Sequence, residues 1–393
     1  MTCENREAIG SGQHRLKVLF ATWGFPPGES GGAEHQAERQ AQELIERGHA
    51  VTVVCPGERD LILRPPLQGL HIDRLRHVRR RPLRRVSYLF ALFIYCLRNL
   101  QKYDLVHVHL ANLQADIIAL AAVLKGKPVW VKVACGGVAG EVERLQRAAS
   151  VTRWFGFRHA ARVQALSQEI AHEMLRIGVR ADRIVRIPNG IERSAPELIY
   201  GDKRAFRREL GLPEDGILFL FLGRLAAYKG LDVLAQAWAH VVVSGRANLL
   251  IVGPQAVDRP LSPDAFRGTG AIVHGSTNEP LKYLSASDVF VYPSLADGMS
   301  NAVLEAMSIG LPIIASNANS APDLLDEGRA GILVPPGDVA ALAAAMTRLG
   351  ASPALRRSLG HAALEQAENF NIRKVVDQIE REYLRLLSVS ACV

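Results

Sequence analysis

"DVFVYPSLADGMSNAVLEAMSIGLPIIAS" occupies residues 288–316. Its opening, residues 288–294, is an apolar run that stops at a Pro-Ser loop, and "PIIAS" at its end is a second such run. Short continuous apolar runs bounded by turn residues read as strands buried on both faces. Between them Val303, Leu304 and Met307 recur at helical spacing, and either Ser300 or Asn301 can supply the N-cap. Strand, helix, strand is a β-α-β unit, and such units impose a parallel sheet.

The same grammar extends in both directions. Downstream, "GILVPPGD" gives another strand. Upstream come "GILFLFLGRL" (216–225), the helix "KGLDVLAQAWAHVV", and the strands "ANLLIVG" and "AIVHGS". An earlier round begins with "LKVLFATW" (16–23) and a helix with Ala37, Ala41, Leu44 and Ile45 on one face, stopped by Gly48. It continues through the strands "AVTVVCP", "DLVHVHL" (104–110), "PVWVKVA" (128–134), "RVQALS" (162–167) and "RIVRIPNGI". Two rounds predict two doubly wound α/β domains, which 393 residues readily supply. The expected layout is a disordered tail over 1–16, a first domain over 17–195 completed by a returning helix over 371–393, and a second domain over 205–370. The polar stretch 192–204 is the expected linker. Ligands of open parallel sheets sit beyond the carboxyl ends of the strands, so two such domains facing each other form a cleft with two lips.

Composition narrows the class. The chain is 48% hydrophobic and 22% charged, as a globular protein is. No run reaches about 18 apolar residues, so no transmembrane helix is expected, and the N-terminus lacks the apolar stretch of a signal peptide. Cys3, Cys55, Cys96, Cys135 and Cys392 are scattered and form no C-x-x-C pair, which reads as reduced thiols in the cytoplasm. The net charge is +8, but Arg74, Arg76, Arg79, Arg80, Arg81, Arg84 and Arg85 account for seven of it, leaving +1 (8 − 7). The basicity is therefore local, and no nucleic-acid partner is expected from it.

Asp297 and Glu305 flank the start of the helix that carries Val303, Leu304 and Met307. Free N–H groups and the helix dipole favour an anion there, with phosphate the usual guest, and Gly298 would let it approach the backbone. Glu305 lies one turn in, and helical side chains lean toward the N-terminus. Carboxylates beside a bound phosphate are tolerated where they accept hydrogen bonds from hydroxyls. A phosphate linked to polyols, that is a nucleotide sugar, fits both acids. The bland alternative is a dipole partner and a solvated helix acid. In "FLGRLAAYKGLD", Arg224 and Lys229 flank a short loop after a strand, a forked guanidinium and an ammonium of the kind that clamps pyrophosphate. The bland alternative is a pair of solvated cations.

"GRLAAYKG", "PSLADGMSNAVLEAMSIGLPIIAS" and "GILVPPGD" together resemble glycosyltransferase family 4, as do "GFPPGESGGAEHQ", "DLVHVH" and "IPNGIE" in the first half. The likeness runs from about Lys17 to about Asp338. It implies a GT-B fold, α/β with two Rossmann-like domains facing across a cleft, and retaining transfer from a nucleotide sugar. By that resemblance Arg224 and Lys229 hold the diphosphate, the amides of Met299 and Ser300 touch the distal phosphate beside Gly298 and Asn301, and Glu305 binds the ribose. Asp297 stands where the family usually has a glutamate that contacts the donor sugar. Gly31 and Gly32 match the first-loop glycines near donor phosphate and acceptor, and His109 matches a histidine pointing into the cleft. The family needs no metal and no cofactor, and the chain has no D-x-D. The donor expected is a UDP-sugar, with GDP-sugar open, and the acceptor is a sugar or a lipid-linked sugar. Rival readings are an epimerase of the same fold and a non-catalytic sugar-nucleotide or membrane-binding protein. A dinucleotide enzyme is excluded because G-x-G-x-x-G is absent after the first strand.

"YLFALFIYCL" (88–97) follows the arginines. It is too short to span a bilayer and too uniformly apolar for a helix with one wet face. Either the helix is buried in the first domain and the arginines are solvated, or Arg79, Arg80, Arg81, Arg84 and Arg85 meet anionic lipid at the inner face of the plasma membrane.

Overall fold

Each apolar run expected to be a strand forms one, trimmed where turn residues begin. The structure, a computed structural model, describes residues 15–26, 31–57, 69–78, 80, 83–137, 140–143, 155–241, 243, 246–256, 262 and 265–390. Nearly all of the expected tail, together with Cys3, Cys392, Arg79 and Arg81, lies outside the described residues.

In chain order the strands of the first sheet are β1 (Lys17–Ala21), β2 (Ala50–Pro56), β3 (His71–Leu75), β4 (Leu105–Val108), β5 (Val129–Val133), β6 (Arg162–Ala165) and β7 (Ile184–Arg186). Those of the second are β8 (Ile217–Leu222), β9 (Ala247–Val252), β10 (Ile272–His274), β11 (Val289–Tyr292), β12 (Ile313–Ser316) and β13 (Ile332–Val334). The spatial orders are β3-β2-β1-β4-β5-β6-β7 and β10-β9-β8-β11-β12-β13. Pairing is parallel across β1–β2, β1–β4, β8–β9 and β8–β11. Each sheet therefore reverses its winding at its first strand, between β1 and β4 and between β8 and β11. In doubly wound sheets such a reversal opens a crevice at the strands' carboxyl ends. Strand β3 was not expected. It carries "HIDRL", charged and half-exposed at the sheet edge, where a strand need not be apolar.

The chain divides into two compact units. The first comprises Met1–Lys132, Val151–Arg162 and Glu380–Val393. Phe20, Leu44, Leu92, Ile118, Trp130 and Tyr383 fill its core, each large side chain contributing about 1.5–3 kcal/mol by burial. The end of the last helix (Ile372–Ser390) is tied into this unit. Glu380 accepts from Arg47 at 3.0 Å and pairs with His49 at 3.0 Å, while the Tyr383 hydroxyl lies 2.5 Å from His107 Nδ1. The helix Leu83–Asn99 corrects an expectation. Tyr88, Leu89, Leu92 and Cys96 face inward, yet Leu83, Val86 and Phe90, at 52%, 66% and 67% exposure, make a wet face that is itself apolar.

The second unit comprises Val133–Ser150 and Val163–Ile379. Leu218–Phe221, Val289–Val291 and Ile313–Ala315 are fully buried, as strands covered on both faces are. Arg207 holds the entry of β8 and β11 together. Its guanidinium contacts Asp288 at 2.6 Å and the carbonyls of Ala286 and Gly216, and Asp288 in turn accepts from Leu218 N at 2.9 Å.

Candidate functional site

In the second unit the loops after β8 and β11 meet at the winding reversal. Leu295 N donates to the Tyr228 carbonyl at 2.9 Å. Gly230, at φ +66°, sits so close to Pro293 that a Cβ would lie 2.0 Å from its carbonyl oxygen, so no other residue fits there. This contact delivers Lys229 to Asp297. The ammonium is 2.6 Å from Asp297 Oδ2 and 2.8 Å from the Tyr292 hydroxyl, and it lies over the Tyr292 ring at 5.2 Å. Tyr292 donates to the same carboxylate oxygen, while Asp297 Oδ1 accepts from Gly298 N at 2.9 Å. Lys229 is 8% exposed and lies in a 3-10 turn, not in a free loop as its sequence context suggested. Arg224 is exposed and has no hydrogen-bond or ion-pair partner among the described residues.

The cap left open by the sequence is Ser300, whose hydroxyl accepts from Val303 N at 3.4 Å at the start of the helix Asn301–Ser308. The amides of Met299 and Ser300 precede the helix and meet no acceptor among the described residues. Asn189, from the "IPNGIE" turn, shapes this approach by donating to the Met299 carbonyl at 3.1 Å and to Asn301 Oδ1 at 3.4 Å. Glu305 is half-buried one turn along. Gly298, expected to let a ligand approach the backbone, makes a close approach within the protein. The approach it permits is to the protein's own chain, since a Cβ there would lie 1.6 Å from the Ala134 carbonyl oxygen, and the residue bridges to Cys135. A small cavity beside it is lined by Tyr292, Asp297, Ser300, Asn319 and Ser320.

In the first unit Gly31 caps the helix Gly32–Glu46 after β1, in extended backbone, and its N–H is taken by Glu34 Oε2 at 2.9 Å. His109 follows β4, and its amide donates to Ala21 at 3.0 Å. Its ring is the one the resemblance has pointing into the cleft. It is fully buried, stacked on His107 at 4.1 Å and packed 4.5 Å from Phe20. Neither ring nitrogen has a partner among the described residues. Burial, then the charges of His107 and Lys132, hold its pKa well below the usual histidine value, so the ring is neutral at pH 7.

Of the arginine cluster, Arg80, Arg84 and Arg85 are exposed, whereas Arg74 is pinned to the carbonyls of Phe25 and Pro26 at 3.1 Å each. Tyr292, Asn189 and Glu34 were not singled out by sequence. The only signal for Tyr292 was its position, last on a strand at the carboxyl end.

Comparison with known proteins adds a family. Residues 216–352 match the model of "Glycosyl transferases group 1", and residues 31–190 match a "Glycosyl transferase 4-like domain". The Escherichia coli UDP-Gal:alpha-D-GlcNAc-diphosphoundecaprenol alpha-1,3-galactosyltransferase is 29% identical over 307 residues, covering 75% of this chain and 78% of its own. Among solved structures, Anabaena HepE in complex with UDP-glucose superposes with a TM-score of 0.76 at 20% identity, covering 94% of this chain and 99% of that one. WaaG, a glycosyltransferase involved in lipopolysaccharide biosynthesis, superposes at 0.67 with 17% identity, over 92% of this chain and 98% of its own.

Proposed function

Because the chain belongs to the group 1, family 4-like glycosyltransferases and has their GT-B fold, we propose that it moves a sugar from a nucleotide diphosphate, UDP favoured over GDP, to an acceptor hydroxyl on a lipid-linked sugar. The observation that carries this reading is the group at the β8/β11 reversal. There an exposed Arg224, the Lys229–Asp297 pair, the Met299 and Ser300 amides at a helix start and Glu305 lie on adjoining loops and one helix. Cations and amides suit a diphosphate, and the two acids suit hydroxyls on either side of it.

In the proposed step, Arg224 and Lys229 neutralise charge developing on the leaving diphosphate. The acceptor oxygen bonds to the anomeric carbon on the face from which the phosphate oxygen departs. The hydroxyl proton passes to that phosphate, and configuration is retained. The lipid-linked acceptor draws support from the galactosyltransferase relative, whose name specifies a diphosphoundecaprenol. It also draws support from the apolar face of Leu83, Val86 and Phe90 beside exposed Arg80, Arg84 and Arg85. That surface suits the anionic inner face of a membrane in polysaccharide or glycolipid assembly.

The division of labour between the two acids is testable by calorimetry. Glu305→Gln should weaken UDP binding itself, because the ribose is part of UDP. Asp297→Asn should leave UDP binding near wild type and slow transfer. The reverse pattern would exchange their roles.

A further inference from the structure

Tyr292 occupies a position that neither family likeness nor sequence pattern marked. The residue is 5% exposed, and its hydroxyl touches both charged partners of the site: it accepts from Lys229 Nζ at 2.8 Å and donates to Asp297 Oδ2. Lys229 reaches the same oxygen directly at 2.6 Å. The three groups thus close a ring in which Lys229 donates to both the phenol and the carboxylate, and the phenol donates on to the carboxylate, so that one chain runs from ammonium through phenol to carboxylate. Inside a protein such chains strengthen each member.

The remaining capacity of each group is what gives the ring a function. A lysine ammonium has three donors, and two are spent on Tyr292 and Asp297, leaving one. A carboxylate offers about four acceptor directions. Three are filled by Lys229, Tyr292 and Gly298 N, leaving one. Without the phenol, both groups would keep their direct contact but gain a free donor and a free acceptor. The ammonium could then turn away from the phosphate, and the shorter aspartate side chain could turn away from the sugar.

We infer that Tyr292 is a positioning residue that fixes the Lys229–Asp297 pair so that one ammonium proton meets the donor phosphate while one carboxylate lone pair meets a donor-sugar hydroxyl. This rests on the roles proposed above for Lys229 and Asp297. The ring couples the two contacts, so that a diphosphate carrying a correctly placed hydroxyl is bound in reacting geometry and a bare diphosphate gains little from it.

The test uses the full chain with Tyr292→Phe, Asp297→Asn and the double variant, alongside Lys229→Ala. UDP affinity by calorimetry and steady-state transfer or hydrolysis of the accepted UDP-sugar are read for each. Tyr292→Phe deletes one oxygen and keeps the ring that packs against Phe221 and Phe290, and UDP binding serves as the check that the site is folded. The expected result is UDP affinity within about threefold of wild type and kcat lower by about ten- to a hundredfold. In the double variant the phenol's loss should add little to the loss already caused by Asp297→Asn, because neighbours acting as a unit are non-additive. A merely structural role would lower stability and UDP binding together and would add to the Asp297 effect. Wild-type kcat in Tyr292→Phe, or full additivity, overturns the inference while slow Asp297→Asn and Lys229→Ala variants keep the proposed roles standing. Wild-type turnover in both Asp297→Asn and Lys229→Ala overturns those roles and the inference with them.

Discussion

Arg224 and Lys229 look alike in sequence, two cations five positions apart around one loop, yet the structure gives them different energetics. Arg224 is exposed and without a partner among the described residues, so Arg224→Ala should change stability by less than about 0.5 kcal/mol. Lys229 is buried against Asp297 and Tyr292. Lys229→Ala leaves a carboxylate short of its counter-charge, and the cost should be about 2–3 kcal/mol, seen as a clear drop in melting temperature. Both should lose about 3 kcal/mol or more of transition-state stabilisation, roughly a hundredfold in rate. Equal melting temperatures for the two variants would contradict the burial, and wild-type rates would contradict the roles. These residue types stand out in the sequence because diphosphates and hydroxyls demand cations and acids. The Lys229–Asp297 contact was not, because it depends on how two loops far apart in the chain meet through Gly230 and Pro293. The burial of His109 was hidden for a related reason, since a histidine at a strand end reads the same whether its ring turns outward or stacks beneath.

At the scale of the element, β4 carries a consequence in pH. His107 on it and His109 directly after it are both fully buried, and burial, with the Lys132 charge adding to it, holds their folded-state pKa values well below 6.5. The unfolded chain would protonate them near 6.5 while the folded chain resists. Their contribution to stability is therefore complete above about pH 6.5 and drains away as pH falls toward the depressed folded values, by up to about 1.4 kcal/mol per pH unit for each ring. Thermal melts between pH 7.5 and 5.5, a window in which ordinary carboxylates barely titrate, should show a falling melting temperature, and a His109→Leu variant should show a shallower slope. A flat profile in the wild type would mean that the rings are accessible to protons in the folded state. Elements themselves were the most legible level. Strands buried on both faces announce themselves as unbroken apolar runs, and β8 and β11 were read directly. Strand β3 escaped because an edge strand may hold charge, and the exposed apolar face of the helix Leu83–Asn99 escaped because a stretch apolar on every side does not reveal which side packs.

For the molecule as a whole, the fold was legible because the order of strands and helices repeats twice, and the winding reversals then place the loops that bear the candidate residues. What a sequence of local signals does not specify is the partner each surface meets. Exposed Leu83, Val86 and Phe90 beside Arg80, Arg84 and Arg85 should bind anionic vesicles. Sedimentation should show binding that requires anionic lipid, weakens in high salt as the Debye length shrinks, and falls when Arg80, Arg84 and Arg85 become Ser together with Arg79 and Arg81. Recovery in the supernatant under all conditions would leave a soluble acceptor as the better reading. The central claim, that the β8/β11 reversal holds a nucleotide diphosphate sugar for transfer, is tested most directly by UDP release from a panel of UDP- and GDP-sugars. The account predicts release of the nucleotide from at least one UDP-sugar by the wild type, accelerated by a matching acceptor and reduced about a hundredfold or more in Arg224→Ala. Folded wild-type protein that neither binds UDP nor releases nucleotide from any sugar donor, or an Arg224→Ala variant that releases it at the wild-type rate, would contradict it.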